Sequence, residues 1–322
     1  MLKKPYVLFG LFLLLSLPIM AQQPAQYSMY MLNTFNWNPA AAGTDNALTA
    51  TVGYRQQWAG LPGAPVSQYL LAQMPLSIFR SGVGIKLEND GLGAQGNTAF
   101  ALAYNYQMPV KNSIFSVGLA AGMSQYRLDG SVIRTPGGIY SGGVINHEDN
   151  LLSATSESGI APTIEGGVYF KNPKFNAGIG IRNINSPTIS LNQLQYKLKP
   201  AYFFTAEGNF QLSNKFSVHP SVFVRTDAVQ LQLDAGVIMR YNDNIFGGAT
   251  LRGYNSSSLD AVAIIGGFRL NQKFTIAYAY DLTLSSLQRV SNGSHEIVLH
   301  YRIKEGFGSI RPPKIIYNPR FL

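Results

Sequence analysis

The chain has 322 residues and no cysteine, which excludes a disulfide framework, a thiolate metal site and a cysteine nucleophile. Charge is also scarce, because Asp, Glu, Lys and Arg make up 13 % of the residues, about half the ~25 % of an ordinary soluble domain. This scarcity argues against a cytosolic enzyme, and the 46 % hydrophobic share argues against a disordered chain. The formal net charge is +9, but the basic residues are scattered, so no nucleic-acid partner is predicted.

Long apolar runs are absent except at the amino terminus. There Lys3 and Lys4 precede an apolar stretch that ends at Met20 and is followed by Ala21. Its apolar core is shorter than the ~20 residues of a spanning helix. The pattern predicts a signal peptide over residues 1–21, cleaved after Ala21, with an uncleaved membrane anchor as the alternative.

The rest of the chain shows apolar and polar residues alternating at period two, as in the stretch from Gln230 to Tyr241. Such alternation predicts β-strands, because successive strand side chains point to opposite faces. Most segments have a length near the 9–11 residues of a tilted transmembrane strand rather than the ~5–6 of a soluble sheet. The predicted strands are 46–57, 66–76, 81–89, 96–109, 113–127, 160–171, 174–183, 200–212, 215–226, 229–241, 245–254, 258–270, 273–283 and 293–303.

The connections between these segments alternate between tight turns rich in Asn, Pro and Lys and mostly longer loops. Outer-membrane barrels have short periplasmic turns and longer outer loops, and a sheet in a bilayer must close so that every backbone polar group is paired. The sequence therefore predicts an all-β, up-and-down antiparallel transmembrane β-barrel of about fourteen strands over residues 46–303. It would lie in the lipid of the outer membrane of a Gram-negative bacterium. A soluble protein of several β-sandwiches is the alternative.

The face opposite the apolar one carries charges of both signs. A Lys or Arg facing the bilayer midplane would cost about 2–4 kcal/mol, so these charges are predicted to point into the lumen. Many inward positions are small, such as Gly82, Gly84, Gly118, Gly178 and Gly180. We expect a plugged or narrow lumen rather than an open pore, and residues 22–45 form a periplasmic or lumenal segment. The candidate lumen charges are Glu165, Glu207, Arg225, Asp234, Arg240, Asp281, Glu296 and Arg302.

No catalytic, metal or cofactor site is predicted, and the chain is not expected to be an enzyme. His147 lies in the longest loop without a second histidine at ligand spacing, which indicates a solvated polar loop. Ser294, His295 and Glu296 combine nucleophile, base and acid, but neighbours on a strand point to opposite faces and cannot form a relay.

Several short motifs occur in order along the chain: Asn38-Pro-Ala-Ala-Ala-Gly43, Tyr54-Arg-Gln-Gln-Trp58, Gly60–Gln68, Gly82–Asp90 and Gly293–Ile297. This set resembles the PorP/SprF family of outer-membrane proteins of the type IX secretion and gliding machinery. The resemblance implies a non-enzymatic barrel without a cofactor that supports protein secretion and anchors large surface proteins or adhesins. The implied partners are secretion-machinery proteins in the periplasm and outer membrane and a large exported surface protein or adhesin. The alternative is a passive porin or a transporter of hydrophobic compounds.

The motif residues have a structural explanation and a partner-binding one, and the sequence leaves both open. The candidate contact residues are Asn38, Pro39, Gly43, Arg55, Trp58, Gly63, Pro65, Asn89, Asp90 and His295. After the last strand, residues 304–322 form a basic tail stiffened by Pro312-Pro313, predicted to be a periplasmic docking arm. A lumen plug and a disordered end are its alternatives. The candidate tail contacts are Arg311, Lys314, Arg320 and Phe321.

Overall fold

The computed structural model describes residues 25–192, 194–254 and 258–303. The predicted signal peptide and the predicted docking arm therefore lie outside the described residues. No helix in the described ranges is long and apolar enough to cross a membrane.

The described chain is built almost entirely from antiparallel strands. In chain order they are β1 (Leu48–Gln56), β2 (Val66–Leu76), β3 (Ser81–Leu92), β4 (Gln95–Val110), β5 (Ser113–Asp129), β6 (Ser156–Lys171), β7 (Phe175–Arg182), β8 (Thr188–Leu191), β9 (Leu194–Lys197), β10 (Ala201–Gly208), β11 (Phe210–Gln211), β12 (Phe216–Thr226), β13 (Leu231–Tyr241), β14 (Ile245–Tyr254), β15 (Ser258–Arg269), β16 (Phe274–Thr283) and β17 (Ser294–Ile303). Short helical turns occur at Tyr30–Leu32, Thr34–Trp37, Pro39–Ala41, Ser77–Phe79, Gly130–Val132 and Ser286–Arg289.

These strands form a closed barrel, as the alternation predicted. Consecutive strands pair as neighbours, and β1 pairs with β17, so that Leu48 lies opposite Ile303. β11 keeps the register of β10 against β12, since Glu207 pairs with Ser221 and Phe210 with Val218. The two segments are one strand interrupted near Asn209. Since β8 and β9 form a separate two-stranded sheet, the barrel wall has fourteen strands.

The two faces of the wall have opposite character. On β5, Leu119 is 63 % exposed and Met123 is 60 % exposed. The residues that directly follow them, Ala120 and Ser124, are buried. Apolar side chains thus cover the outside, where lipid replaces water, and small or polar side chains cover the inside. In a soluble protein the arrangement is the reverse, with apolar side chains inside and polar side chains outside.

The two rims of the barrel differ in the length of their connections. Both chain ends of the wall, Leu48 and Ile303, lie at the rim with the short turns, which is the periplasmic rim in barrels of this type. The opposite, outer rim has longer connections at 57–65, 130–155, 183–200 and 284–293. One of these contains the β8–β9 hairpin, which the sequence did not predict. The hairpin packs on β6, where the backbone of Ser190 and the side chain of Ile189 lie against Gly159.

Candidate functional site

The lumen of the barrel is filled by residues 25–47, which we call the plug segment. Its large side chains are almost completely buried, including Tyr27, Met29, Tyr30, Phe35 and Trp37, each at most 2 % exposed. They pack on inward-facing aromatics of the wall: the Trp37 ring lies 4.8 Å from the ring of Phe223 and 5.3 Å from that of Phe203, centroid to centroid. Residues 25–45 of the predicted periplasmic or lumenal segment are thus buried inside the barrel, and its residues 22–24 lie outside the described residues.

The small inward residues of the wall make room for the plug segment. A Cβ atom at Gly82 would overlap the carbonyl of Ala42, one at Gly84 the ring of Phe35, and one at Gly180 the carbonyl of Trp37. Gly118 and Gly178 lie in the same way against Ala40 and Asn38. Close approach of another backbone is a typical reason for glycine within a strand.

Five buried charges on the wall surround Ser28 of the plug segment: Arg55, Asp234, Arg252, Asp281 and Glu296. The backbone N–H of Ser28 donates to Glu296 at 2.6 Å, and its hydroxyl donates to Asp281 at 2.7 Å. The same hydroxyl accepts from Arg55 at 3.0 Å and from Arg252 at 2.9 Å. Asp281 and Glu296 therefore each have a cationic partner and a plug donor, and Asp234 is paired with Arg252 and Gln232 of the wall. Pairing of this kind is the condition under which buried charge is tolerated.

Ion pairs also join the members of this first cluster to one another. Arg55 lies 2.6 Å from Asp281 and 3.2 Å from Glu296. Arg252 lies 3.0 Å from Asp281 and 3.1 Å from Asp234. The cluster thus joins β1, β13, β14, β16 and β17, which lie along one side of the barrel, through their side chains.

A second cluster of buried charge holds the middle of the plug segment. Lys86 pairs with Glu165, and Arg182 pairs with Glu88 at 2.9 Å. Asn36 of the plug segment donates to Glu88 at 2.9 Å, while its backbone carbonyl accepts from Arg182 at 3.0 Å. Both clusters therefore fix the plug segment to the wall by charge-assisted hydrogen bonds, which are stronger than neutral ones.

The motif from Asn38 to Gly43 forms the lower part of the plug segment. The Asn38 side chain accepts from Ala40 N–H at 2.9 Å and donates to the Val168 carbonyl at 2.9 Å. Pro39 begins the short helical turn that follows. Gly43 has φ +66° and lies against the backbone of Met74, so that a side chain would be strained and would collide. These three candidate residues thus have a packing role inside the barrel.

Near the periplasmic rim the plug segment is held by charges at the ends of strands. Asp45 pairs with Lys171, and its carbonyl accepts from Arg302 at 3.0 Å. Partial desolvation opposes ionisation of Asp45, whose side chain is still 46 % exposed, but Lys171 and then Arg302 hold the pKa of Asp45 below its ordinary value of 3.8. Asp45 is therefore ionised, and its pairing with Lys171 persists, at neutral pH.

The remaining candidate lumen charges also point inward. Arg225 donates to the Ala25 carbonyl at 2.9 Å. Glu207 accepts from Asn176 at 3.4 Å, and the Arg240 guanidinium lies 5.6 Å from the ring centroid of Phe246. With Arg302, these half-buried or buried groups extend the charged lining toward both rims.

At the outer rim the structure brings Trp58, Pro65 and Asp90 together around an open cavity of about 280 Å³. Tyr126 and Tyr196 form one wall, with ring centroids 4.1 Å apart. Ala25 and Gln26, the first residues of the plug segment, form the floor. We call this space the outer-mouth cavity.

Three of the candidate contact residues lie away from the outer-mouth cavity. Gly63 has φ +70° in the loop after β1, where its carbonyl accepts from the N–H of Gly93 at 3.0 Å. Asn89 faces outward and accepts from Thr98 at 2.9 Å. His295 also faces outward, with its Nδ1 atom 2.7 Å from the hydroxyl of Tyr278. These three residues therefore do not share a surface with the residues that line the outer-mouth cavity.

The outer loop over residues 130–155 is ordered around His147, which is only 4 % exposed. Its Nδ1 atom lies 3.0 Å from the hydroxyl of Tyr140, and its Nε2 atom lies 3.1 Å from the carbonyl of Ser153. The expectation of a solvated loop is wrong for His147, although Glu148 and Asp149 beside it are exposed. Four apolar side chains of this loop are more than half exposed: Val132, Ile139, Val144 and Leu151.

Several plug contacts were missed from the sequence. Glu88 and Arg252 were not among the candidates, although both lie on the inward face of a strand by the same alternation that marks their neighbours. Ser28 and Asn36 belong to a segment without any period, so no pattern could identify them.

Solved structures with a similar chain path include two toluene transporters and a hydrocarbon channel. TodX of Pseudomonas putida is 10 % identical over 84 % of this chain and 93 % of its own, with a TM-score of 0.48. TbuX of Ralstonia pickettii is 10 % identical over 86 % of this chain and 93 % of its own, with a TM-score of 0.46. The CymD monoaromatic hydrocarbon channel is 13 % identical over 84 % of this chain and 91 % of its own, with a TM-score of 0.48. Likeness at this level supports no conclusion about transport.

No curated protein sequence matches the chain. The family model described as "Type IX secretion system membrane protein PorP/SprF" matches residues 19–301, nearly the whole length. This match includes the plug segment as well as the barrel wall. The chain therefore belongs to the PorP/SprF family of type IX secretion system membrane proteins.

Proposed function

We propose that this outer-membrane barrel is a sealed, non-catalytic scaffold that supports type IX secretion and holds large exported proteins or adhesins at the cell surface. The observation that carries the proposal is the filled lumen. A passive pore needs a continuous water path, whereas here the plug segment packs against the wall and is tied to it by two charge clusters. A wall without a conducting path is suited to binding other proteins at its two rims. In this proposal the chain is exported by the signal peptide over residues 1–21.

The outer rim offers a surface for the exported protein. The loop over residues 130–155 has its own hydrogen-bonded centre at His147, so its four exposed apolar side chains are presented on a fixed frame. Exposed apolar patches mark interaction sites, and four large exposed apolar side chains lie within residues 132–151 of this loop. This loop is our candidate contact for the exported surface protein, and gliding adhesins are the proposed cargo class.

The periplasmic rim is the proposed contact for the secretion machinery. The family implies an association with that machinery. β17 ends at this rim, and in the sequence it is followed by the tail over residues 304–322, with Arg311, Lys314, Arg320 and Phe321. Its role as a docking arm remains a proposal, tested by ending the chain after Ile303 and measuring co-purification of periplasmic partners. Loss of those partners from an intact barrel is the expected result.

Deleting the gene tests the secretion role. We expect the large surface proteins exported by the type IX route to be lost from the cell surface and to be restored by the intact gene. Purified protein in a planar bilayer should give no stable open-channel steps. Normal surface export in the deletion strain would contradict the secretion role, and large stable conductance would favour a passive porin or a hydrophobic-compound transporter.

The loop contact is tested in complemented cells with Ile139→Ser and Val144→Ser combined. Barrel assembly should be normal, and attachment of the exported protein should fall severalfold. Val290→Ser is the matched control, because Val290 is equally exposed in a different outer loop. Equal attachment in the two variants would contradict the proposed contact.

A further inference from the structure

The outer-mouth cavity opens toward the cell exterior and is closed underneath. It lies at the outer ends of the strands, because Gln57 directly follows β1 and Leu92 ends β3. Its floor is formed by Ala25 and Gln26, and the carbonyl of Ala25 is held by a hydrogen bond from Arg225 at 2.9 Å. A ligand that enters this cavity therefore comes from outside the cell and meets the plug segment below it.

The aromatic wall of the cavity is held in place before any ligand binds. Tyr196 lies on β9 and stacks on Tyr126 of β5, with ring centroids 4.1 Å apart and an interplanar angle of 13°. Ile189 and Leu191 of β8 are buried in the same apolar cluster as Tyr126, so the β8–β9 hairpin is fixed against the barrel. A side chain whose position is fixed in advance loses little entropy when a ligand packs on it.

Trp58 adds a third aromatic residue to the lining. Its backbone φ is +51°, a left-handed conformation that is rare for a bulky residue. The N–H of Trp58 donates to the Ser294 hydroxyl at 3.1 Å, and its carbonyl accepts from the N–H of Leu61 at 3.2 Å, so the surrounding loops enforce this conformation. Strained backbone that is enforced by its surroundings is concentrated at ligand-binding sites.

Side-chain amides make up much of the polar lining. Gln57, Gln95 and Asn97 all line the cavity, and an amide both donates and accepts hydrogen bonds. Gln57 donates to Gln26 at 3.0 Å, and Asn97 accepts from Ser124 at 2.6 Å, so these two amides are held in place. Gln95 is exposed at the start of β4. The lining therefore presents donors and acceptors beside aromatic rings.

The charged groups of the cavity balance one another. Asp90 and Lys199 line it with opposite signs. Arg182, which also lines it, is paired with Glu88 at 2.9 Å. An anionic or cationic ligand would therefore meet no excess of opposite charge. The balance favours a neutral ligand that forms hydrogen bonds.

We propose that the outer-mouth cavity binds a neutral saccharide, packed against Tyr126 and Tyr196 and hydrogen-bonded to Gln95 and Asn97. A sugar ring combines apolar C–H groups on its faces with hydroxyl groups around its edge, which matches aromatic rings beside amides. The volume of about 280 Å³ lies near the lower end of the ~300–1,000 Å³ of small-molecule sites, so the cavity takes the end of a glycan rather than a long stretch of it. A purely apolar ligand would take both amides out of water without giving them new partners.

Isothermal titration calorimetry on the purified full chain tests the proposal. The detergent is lauryldimethylamine oxide, which has no sugar head group and so does not compete. The probes are the neutral trisaccharides maltotriose and cellotriose, the lipid-free surface polysaccharide of the producing cells, and toluene as an apolar ligand.

We expect at least one saccharide probe to bind with a Kd of about 1 mM or lower. The affinity should be the same at low and high salt, because a neutral ligand makes no ionic contact. Binding of a trisaccharide indicates a soluble glycan as the source, whereas binding of the polysaccharide alone indicates the glycan of the cell's own surface. Absence of saturable saccharide binding, loss of binding at high salt, or tighter binding of toluene would overturn the proposal.

Tyr196→Ala tests the aromatic wall. Removing the ring should weaken saccharide binding about tenfold, as expected for an aromatic side chain that a ligand packs against. Tyr278→Ala is the matched control, because Tyr278 is 46 % exposed on the outer face of the barrel wall. Heat-dependent migration on gels shows that both variants are folded. Equal affinities of the two variants would overturn the assignment of the wall.

Gln95→Leu tests the hydrogen bonds at a position where folding is not at risk, because Gln95 is exposed. The affinity should fall about fivefold, the factor that corresponds to one ordinary hydrogen bond. Gln125→Leu is the control, since Gln125 is exposed on the outward face of β5. Equal binding by these two variants would contradict the contact with Gln95. The inference is independent of the secretion role, because binding is measured on the purified protein.

Discussion

The barrel wall and the plug segment obey opposite rules. On the wall, large apolar side chains such as Leu119 face outward and are exposed to lipid, while charged side chains such as Asp281 are buried. In the plug segment, Met29 and Trp37 are buried beside equally buried polar residues such as Ser28 and Asn36. The wall follows a regular period because every strand divides lipid from lumen. The plug segment has no period because every side of it faces the lumen.

The wall is specified by a repeating pattern of residue types, whereas the plug segment is specified by individual contacts. A residue on the wall needs only the character of its face, which is apolar on the outside and small or polar on the inside. A plug position needs a named partner, such as Glu296 for the N–H of Ser28 or Glu88 for Asn36. Changes at plug contacts should therefore have larger effects than changes at wall positions of similar chemistry.

The largest effect is expected from deleting residues 25–44. The fourteen strands keep their pairing, since none of them hydrogen-bonds through these residues in the sheet. Without the plug segment the charged inner face becomes a water-filled channel, so planar-bilayer recordings should change from no steps to large stable steps. Deleting residues 137–143 of the outer loop is the control and should leave the protein closed. A deletion variant that gives no conductance steps would contradict a sealing role, provided that its heat-dependent migration on gels shows a folded barrel.

The next largest effect is expected from Arg55→Met. The substitution leaves Asp281 and Glu296 without their shared cation, and breaking one partner of a buried ion pair costs about 3–5 kcal/mol. Thermal unfolding in detergent, followed by loss of anomalous gel migration, should move to a clearly lower temperature.

Arg289→Met is the matched control for Arg55→Met. Arg289 is exposed in an outer loop, and a surface substitution of this kind changes stability by at most about 0.5 kcal/mol. Equal unfolding temperatures for the two variants would show that the first cluster is not needed for stability.

A smaller effect is expected from Gly180→Leu. Its side chain would collide with the Trp37 carbonyl, and overpacking typically costs about 1–3 kcal/mol. Gly266→Leu makes the same chemical change where the outer side of the wall has open space, so it should leave the unfolding temperature nearly unchanged. If the outward substitution destabilises as much as the inward one, the difference between wall and plug contacts is refuted.

The smallest effect is expected from Asp45→Asn, which removes the pairing with Lys171. Asp45 is partly exposed, and exposed pairs contribute about 0.2–1 kcal/mol. The pKa of Asp45 is lower in the folded protein, so the pair stabilises above pH 3.8 and its contribution is lost as the pH falls below that value. The unfolding temperatures of the two proteins should differ at pH 7 and converge on acidification. A gap that grows below pH 3.8 would contradict this sign.

Much of the wall was predictable from residues alone. The predicted strands 66–76 and 245–254 have the bounds found for β2 and β14, and the inward direction of Asp281 and Glu296 followed from the cost of charge in lipid. The β8–β9 hairpin was not predictable, because its strands of four residues are too short to show a period. The outward direction of Asn89 and His295 was not stated from the motifs, because a motif does not say which face of a strand a residue occupies.

By itself the sequence determined the barrel, since only a closed sheet satisfies its backbone in lipid and only inward positions tolerate its charges. The glycines on the inner face also indicated space inside the barrel, and residues 22–45 were predicted to lie either in that space or in the periplasm. Tertiary structure decided that residues 25–47 fill that space, that Ser28 and Asn36 meet the buried charges, and that Ala25 reaches the outer rim. The physical reason is that the plug segment depends on contacts between residues as far apart as Ser28 and Glu296, and such contacts leave no local pattern in the chain.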